Sequence, residues 1–275
     1  MNGKRKGVLL VTLAAAVWSF SGVLSKSVTW SGLSIAGARA IPAVLLMALM
    51  RGGFRVKLTG ANLLGAFGCA GTSVIFIVAN KLTTSANAIV LQYAMPAVVI
   101  LLTWLVYRQK PRRLDVVTCA LVLLGVILCS IQGMSGGHIA GDLLALFTAF
   151  TYALVFFCSR LPGVSSMDYN FMGLILCCPF ALFALGDPGA AFTVSNVLGL
   201  LAMGVCLSLG YFLVSLGLKT VSPVSAALTS NIEPVLNPVW TFLFLGEFPG
   251  WLSIAGAVIV LSAVTVFSVL SERDR

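Results

Sequence analysis

The sequence predicts an all-α integral membrane protein with ten transmembrane helices arranged as two inverted five-helix repeats. Three observations carry this reading. The chain has 275 residues, of which 59% are hydrophobic and 9% charged, whereas soluble domains carry about a quarter charged residues; with a mean hydropathy of +1.06, its solvent is lipid. Charges and turn residues cut it into apolar segments close to the ~20 residues that a helix needs to cross the hydrocarbon core. Finally, the chain contains itself twice. Residues 81–126 align with 219–264 at an offset of 138, placing Lys81 on Lys219, Pro96 on Pro234 and Leu105 on Leu243. The start of each half matches at an offset of 134, placing Ala15 on Ala149, Asn62 on Asn196 and Gly65 on Gly199.

The first span, 7–26, follows Lys4-Arg5-Lys6. It is long enough to cross and no small-x-small cleavage site follows, so it reads as a retained helix rather than a signal peptide. Spans 32–50, 60–80, 84–107 and 115–132 complete the first repeat, assigned to residues 1–135. The longest connection, around Gly133–His138, leads to the second repeat, residues 136–275, with spans 142–160, 168–186, 195–217, 222–245 and 250–270. No segment is left over for a soluble domain. Pro96 and Pro234 occupy equivalent places in the fourth and ninth spans, where each removes a backbone donor and frees a carbonyl one turn earlier. They are hinge candidates, with a static bend as the alternative; Pro42 and Pro179 are expected to bend the second and seventh spans.

Orientation follows from the basic residues, which gather on the cytoplasmic side of membrane proteins. With the N-terminus inside, fourteen of the seventeen Lys and Arg residues fall on the inner face, Lys26 and Lys81 outside and Arg39 within a span. The C-terminus is then also cytoplasmic. The net charge of +9 is thus a topology determinant and argues against nucleic-acid binding. Five spans per half is an odd number, so the second copy enters the membrane upside down. Two such halves can rock about a central site, the physical basis of alternating access.

The seven cysteines all lie in apolar segments without a Cys-x-x-Cys pair, and His138, the one histidine, is in a loop. They read as small packing residues, and neither a metal site nor a cofactor is expected. No phosphate-binding loop is present, so ATP is not the direct driver. One buried carboxylate and one loop histidine do not supply an intramembrane enzyme with a nucleophile and base; a channel remains the other rival class.

The stretch Leu216–Pro223, continuing through Asn231-Ile232-Glu233-Pro234-Val235 to Phe244-Leu245-Gly246-Glu247, resembles the second repeat of the drug/metabolite transporter superfamily, EamA-type subgroup. The first repeat is similar in Val17–Lys26, Asn80–Ala86, Tyr93-Ala94-Met95-Pro96 and Trp104-Leu105. The resemblance covers essentially the whole chain. It implies a ten-helix basket with a central cavity that moves metabolites such as amino acids, often outward. One departure is visible: the family often ends its fourth helix with Gly-Glu, where this chain has Arg108-Gln109, keeping Gly246-Glu247 only in the second half.

Polar faces inside spans must look at protein or at a water-filled cavity. In the ninth span Ser230, Glu233, Asn237 and Thr241 share one helical face, with Asn231 beside them, and the matching face of the fourth is Gln92, Met95, Val99 and Thr103, with Tyr93 adjacent. Trp18 and Ser21 in the first span, Tyr152 in the sixth, and Ser208 and Tyr211 in the eighth add to the candidate substrate-binding lining; interhelical packing through small polar groups is the alternative. Arg39 and Glu233 interrupt otherwise apolar spans, which costs about 3 kcal/mol for each charge. Glu233 is a candidate for proton coupling, for holding a substrate ammonium, or for a structural role paired with Arg39. The aromatics Trp18, Tyr93, Tyr152 and Tyr211 could form a cage for a cation. Gly65, Gly68 and Thr72 in the third span, with Gly199 and Gly204 in the eighth, read as packing faces.

Together these features point to a secondary transporter in the plasma (inner) membrane. Its expected partners are membrane lipid and a small polar or amphipathic substrate, amino acids first and quaternary ammonium compounds as the alternative. A monomer is expected, with a homodimer left open.

Overall fold

The computed structural model describes residues 3–26, 28–83, 85–131, 136–245 and 250–273. The helices are α1 (Gly3–Lys26), α2 (Gly32–Arg51), α3 (Gly60–Leu82), α4 (Ser85–Gln92), α5 (Met95–Tyr107), α6 (Arg113–Ser130), α7 (Ile139–Phe157), α8 (Ser166–Cys177), α9 (Val194–Gly217), α10 (Pro223–Ser230), α11 (Glu233–Leu245) and α12 (Trp251–Arg273). 3₁₀ stretches at Cys158–Arg160 and Cys178–Gly186 extend α7 and α8. Among the described residues, seven segments are long and apolar enough to cross a membrane. The predicted spans 7–26, 115–132 and 222–245, each of which includes side chains outside the described ones, are not in that set.

Two expected spans are in fact broken. The predicted helix over 84–107 divides into α4 and α5 at Tyr93-Ala94, and that over 222–245 into α10 and α11 at Asn231-Ile232. Each break lies just before a proline, Pro96 or Pro234, which cannot donate to the carbonyl four residues earlier; tighter three-residue bonds replace the α-ladder there, Ala97 to Ala94 and Val235 to Ile232. Pro42, by contrast, sits inside a continuous α2. Pro179 opens the 3₁₀ stretch that finishes α8.

Inter-helix packing comes in pairs related by exchanging the two halves. α3 packs on α7 as α1 packs on α9; α3 on α8 as α2 on α9; α4 and α5 on α7 as α10 and α11 on α1; α4 on α6 as α10 on α12. α6 meets its own counterpart, α12. The repeat read from sequence is thus a pseudo-two-fold of interlocked halves.

Small residues set the closest approaches. A Cβ at Gly65 would fall on the Tyr169 ring, one at Gly68 on Leu154, and one at Gly204 on Pro42 and the Arg39 carbonyl. The outer wall is apolar, with Leu49, Leu185 and Phe192 largely exposed, while Asn62, Asn170, Ser208 and Asn231 are fully buried, the arrangement that lipid as solvent requires.

Two matched asparagines fasten opposite ends of the bundle. Asn62, capped by Thr59, donates to the Lys57 carbonyl at 2.7 Å and accepts from the Ser165 N–H at 3.2 Å. Asn196, capped by Thr193, donates to the Ala191 carbonyl at 2.7 Å and accepts from the Thr29 N–H at 3.1 Å. Each ties the start of one helix to a loop of the other half. Beside the first clasp, Arg51 pairs with Asp168 and lies 4.4 Å over the Phe171 ring. Beside the second, Asp187 accepts from the Ser31 N–H at 2.7 Å and the Gly189 N–H at 2.9 Å. Hydrogen bonding to Ser34 above all, then to Ser31 and Gly189, holds the Asp187 carboxyl down at about 2.

Candidate functional site

The helix breaks position the site. When a membrane helix unwinds midway, its freed carbonyls and the end dipoles of its halves are exposed inside the bundle, where they can meet a ligand. Here both broken helices face one another across the pseudo-two-fold. Glu233 stands in the first turn of α11, at the positive end of that half-helix. Its repeat mate, Met95, begins α5 and is fully buried.

Between the breaks lies a cavity of about 80 Å³. Of the residues expected from sequence, Trp18, Ser21, Arg39, Gln92, Tyr152, Tyr211 and Glu233 line it. They come from α1, α2, α4, α7, α9 and α11, so residues distant in the chain converge as the repeat arrangement requires. Trp18 meets Tyr211 edge-on at 5.1 Å and Tyr152 at 6.1 Å between ring centroids. Tyr93, at the break itself, meets Tyr152 edge-on at 6.4 Å, and its hydroxyl faces Glu233.

The remaining expected residues fall elsewhere. Ser230 and Asn231 are buried and bond back into their own helix, Ser230 Oγ to the Ala226 carbonyl and Asn231 Nδ2 to the Ala227 carbonyl, both at 2.9 Å. Ser208 is buried on α9 outside the cavity lining. The side chain of Asn237 and the pair Gly246-Glu247 lie outside the described residues. Pro96 and Pro234 stand in the first turns of the second half-helices.

Sequence reasoning missed α3. Thr72, Ser73 and Phe76 line the cavity, as does Leu207 on α9. The sequence reading assigns Thr72 to a packing face with Gly65 and Gly68, and the repeat gives no further signal, because the mate of Ser73 at the offset of 134 is the apolar Leu207. Ser73 also anchors the buried cation, since Arg39 Nη2 donates to its carbonyl at 3.1 Å. The Ser73 hydroxyl lies 3.4 Å from that of Tyr211.

Arg39 and Glu233 share this small cavity, yet no ion pair joins them among the described residues. Several polar atoms around them are buried without a hydrogen-bond partner among the described residues: Trp18 Nε1, Arg39 Nε, Gln92 Oε1 and Tyr93 Oη. Buried polar groups are nearly always satisfied, and exceptions call for a ligand, water or function. Donors gather at Arg39 and Trp18 and acceptors at Gln92 and Glu233. The site can therefore hold a small molecule that carries both an anionic and a cationic end, and its aromatic walls suit the apolar part between them.

Comparison with known proteins gives a consistent result. The model of the EamA-like transporter family matches the chain twice, over residues 5–131 and 139–269. An uncharacterized inner membrane transporter, YicL of Salmonella typhimurium, is 25% identical over 306 residues, covering 99% of this chain and 98% of that protein. The pseudopaline exporter CntI of Pseudomonas aeruginosa is 28% identical over 278 residues, covering 96% of each. A solved crystal structure aligns over 97% of this chain and 98% of its own with a TM-score of 0.79 at 19% identity, a likeness of fold alone.

Proposed function

The chain belongs to the EamA-like transporter family, and on that premise we propose that it is a secondary exporter of a small zwitterionic metabolite, an amino acid or an amino-acid-like compound. It works by alternating access in the inner (plasma) membrane with both termini in the cytoplasm. The family and the relatives are transporters, not enzymes. The observation that carries the reading is the shared cavity of Arg39 and Glu233, two ionisable groups of opposite sign without a direct bond among the described residues. A substrate carboxylate would take Arg39 and Trp18 Nε1; its ammonium would take Glu233 and Gln92. At about 80 Å³ the cavity falls far below the ~300 Å³ of a drug-sized pocket, which favours a small substrate in a closed conformer. The outward direction is supported by the likeness to a relative named as an exporter, and the orientation by the crowding of basic residues at the N-terminal end.

Pro96 and Pro234 serve as the hinges. They leave the Gln92 and Ser230 carbonyls without an intrahelical donor, so the half-helices can pivot there at little cost in hydrogen bonds. Glu233 is the proton-coupling group: facing the cavity beside Tyr93 and Tyr152, it can exchange a proton for a substrate ammonium. A second reading, export of a quaternary ammonium compound, is favoured by the aromatic set Trp18, Tyr152 and Tyr211, which shares the cavity with this carboxylate.

Counterflow in proteoliposomes tests the proposal. A panel of amino acids and quaternary ammonium compounds should yield saturable exchange without ionic current. Arg39→Gln should weaken carboxylate-bearing substrates by about tenfold or more, the worth of one charge-assisted hydrogen bond, and spare quaternary cations. Glu233→Gln should abolish pH-gradient-driven uptake while leaving exchange. Ionic current without counterflow would replace the transporter by a channel. An Arg39→Gln variant that handles carboxylates normally would favour the cation reading, and unchanged pH dependence in Glu233→Gln would remove the coupling role.

A further inference from the structure

A second and larger cavity opens at the end of the bundle that carries the N-terminus. It has a volume of about 280 Å³ and is walled by four segments from that end: the start of α1, the α5–α6 loop, the 3₁₀ turn after α7 and the α9–α10 loop. Lys4, Lys110, Arg112 and Arg160 line it against one carboxylate, Asp115. Arg112 is committed to that carboxylate through two bonds, Nη2 to Oδ1 at 2.9 Å and Nε to Oδ2 at 3.2 Å. The positive charge of Lys110 and Arg160 is left over. Lys110 and Arg160 make no ion pair or hydrogen bond among the described residues.

The backbone adds to this field. Ser222, Pro223 and Ser225 form the first turn of α10 and line the cavity; a helix N-terminus carries roughly half a positive charge. The Ser222 hydroxyl caps the Ser225 N–H, and Pro223 has no N–H to offer. The polar inner wall also has spare capacity. Thr103 Oγ1 lines the cavity and is buried without a partner among the described residues, and one turn on, outside the lining, Tyr107 Oη near Arg160 is likewise without one. Basic loops alone set membrane topology; basic side chains gathered around a cavity, with a helix N-terminus and the unsatisfied Thr103 hydroxyl in its wall, do more than topology needs.

We propose that this vestibule is an oxyanion-binding site, separate from the central cavity, that takes a phosphate- or carboxylate-bearing group between Lys110, Arg160 and the N-terminus of α10. The occupant comes either from solution, as a multiply charged metabolite, or from the membrane, as an anionic lipid headgroup. Its volume lies near the lower end of small-molecule pockets, ~300 Å³, and accommodates a group of that size. The site does not depend on the transport reading, because binding there is measured directly.

The test is calorimetric titration of the full-length protein in neutral detergent with inorganic pyrophosphate and with citrate. The expected result is one saturable site whose affinity falls as salt rises. The double substitution K110Q/R160Q should lower the affinity by at least about tenfold for each cation removed, whereas E233Q should leave it within twofold. Thr220→Glu, which places a carboxylate at the rim without deleting a basic residue, should lower it as well; size-exclusion profile and circular dichroism check the fold of each variant. The second arm repeats the titration in nanodiscs of phosphatidylcholine with or without phosphatidylglycerol. Loss of pyrophosphate binding only with phosphatidylglycerol assigns the site to a lipid headgroup, and binding in both assigns it to a soluble anion. No saturable binding in detergent, binding indifferent to salt, or full affinity in both K110Q/R160Q and Thr220→Glu would overturn the proposal.

Discussion

Gly210 in α9 lies against the Trp18 indole, so Gly210→Ala is a direct probe of the central cavity. A Cβ built there would stand 2.1 Å from Trp18 Nε1, 2.4 Å from Cε2 and 2.5 Å from Cδ1. Ordinary non-bonded contacts begin near 3.5 Å, so the ring must retreat by about 1.4 Å. On its other side are Tyr152 and the cavity, and the cavity is the softer of the two. A methyl group takes about the space of one water, roughly 30 Å³, a large share of the 80 Å³ present. Overpacking costs about 1–3 kcal/mol, while replacing a helical glycine by alanine returns about 1 kcal/mol. The net destabilisation is therefore about 0–2 kcal/mol, small enough for the protein to fold. The expected outcome is a thermal midpoint lowered by at most a few degrees with counterflow reduced tenfold or more. Gly65→Ala is the control. Its Cβ would strike the Tyr169 ring at 2.5 Å, the same kind of clash away from the cavity, so stability should fall while counterflow per folded molecule persists. The reasoning is refuted if Gly210→Ala keeps its rate and affinity, or if Gly65→Ala loses transport equally.

Asn62→Ala and Asn196→Ala should each lower stability by about 1–3 kcal/mol, the cost of leaving buried backbone partners unpaired; scanning fluorimetry should give losses of similar size, and a loss from one substitution alone would contradict the pairing of the two clasps. Arg51→Met leaves the Asp168 carboxylate buried without its partner, at a cost of about 3–5 kcal/mol, and Arg51→Met with Asp168→Asn should recover much of that; a double variant as unstable as the single one would assign the effect to the lost packing over Phe171. Asp187 has its carboxyl depressed from 3.8 to about 2, so its contribution is complete above pH 3.8 and disappears as pH falls through 2. Asp187→Asn should therefore be less stable than the wild-type protein at pH 7 and approach it only below pH 2, and a difference that persists undiminished in acid would remove the carboxylate from the explanation.

Much of the fold is legible because lipid imposes a coarse rule. Every span must be apolar for about 20 residues, so Arg39 and Glu233 stand out against their segments, and both line the cavity. Helical periodicity then places Trp18, Gln92, Tyr152 and Tyr211 on inward faces. Periodicity fails where the helix itself ends. Ser230 and Glu233 are three residues apart and share a face only in an unbroken helix; the turn at Asn231-Ile232 intervenes, and Ser230 bonds back to Ala226 while its hydroxyl stands beside that of Tyr152. Pro234 marks that region, yet proline alone does not separate a kink from a break, as the unbroken α2 around Pro42 demonstrates. The α3 wall was hidden for another reason. Its contribution is partly a backbone atom, the Ser73 carbonyl that holds Arg39, and carbonyls leave no mark in a sequence.

The repeat explains which residues do which work. Where a loop must be fastened at both ends of the bundle, the halves agree: Thr59-x-x-Asn62 and Thr193-x-x-Asn196 build the same cap and the same bridge. A symmetric scaffold gives two packings of similar energy, which rocking between two sides requires. A symmetric site would not serve equally well. A substrate with unlike ends needs unlike partners, and a second carboxylate facing Glu233 across so small a cavity would repel it by several kcal/mol at short range. At the two breaks the halves accordingly differ: Met95 opposite Glu233, and Tyr93 opposite Asn231. Introducing Met95→Glu tests this directly. Two carboxylates at the cavity should share a proton at neutral pH, weaken zwitterion exchange and shift its optimum upward in pH. If Met95→Glu exchanges substrate normally with an unchanged pH profile, the asymmetry of the breaks has no part in recognition.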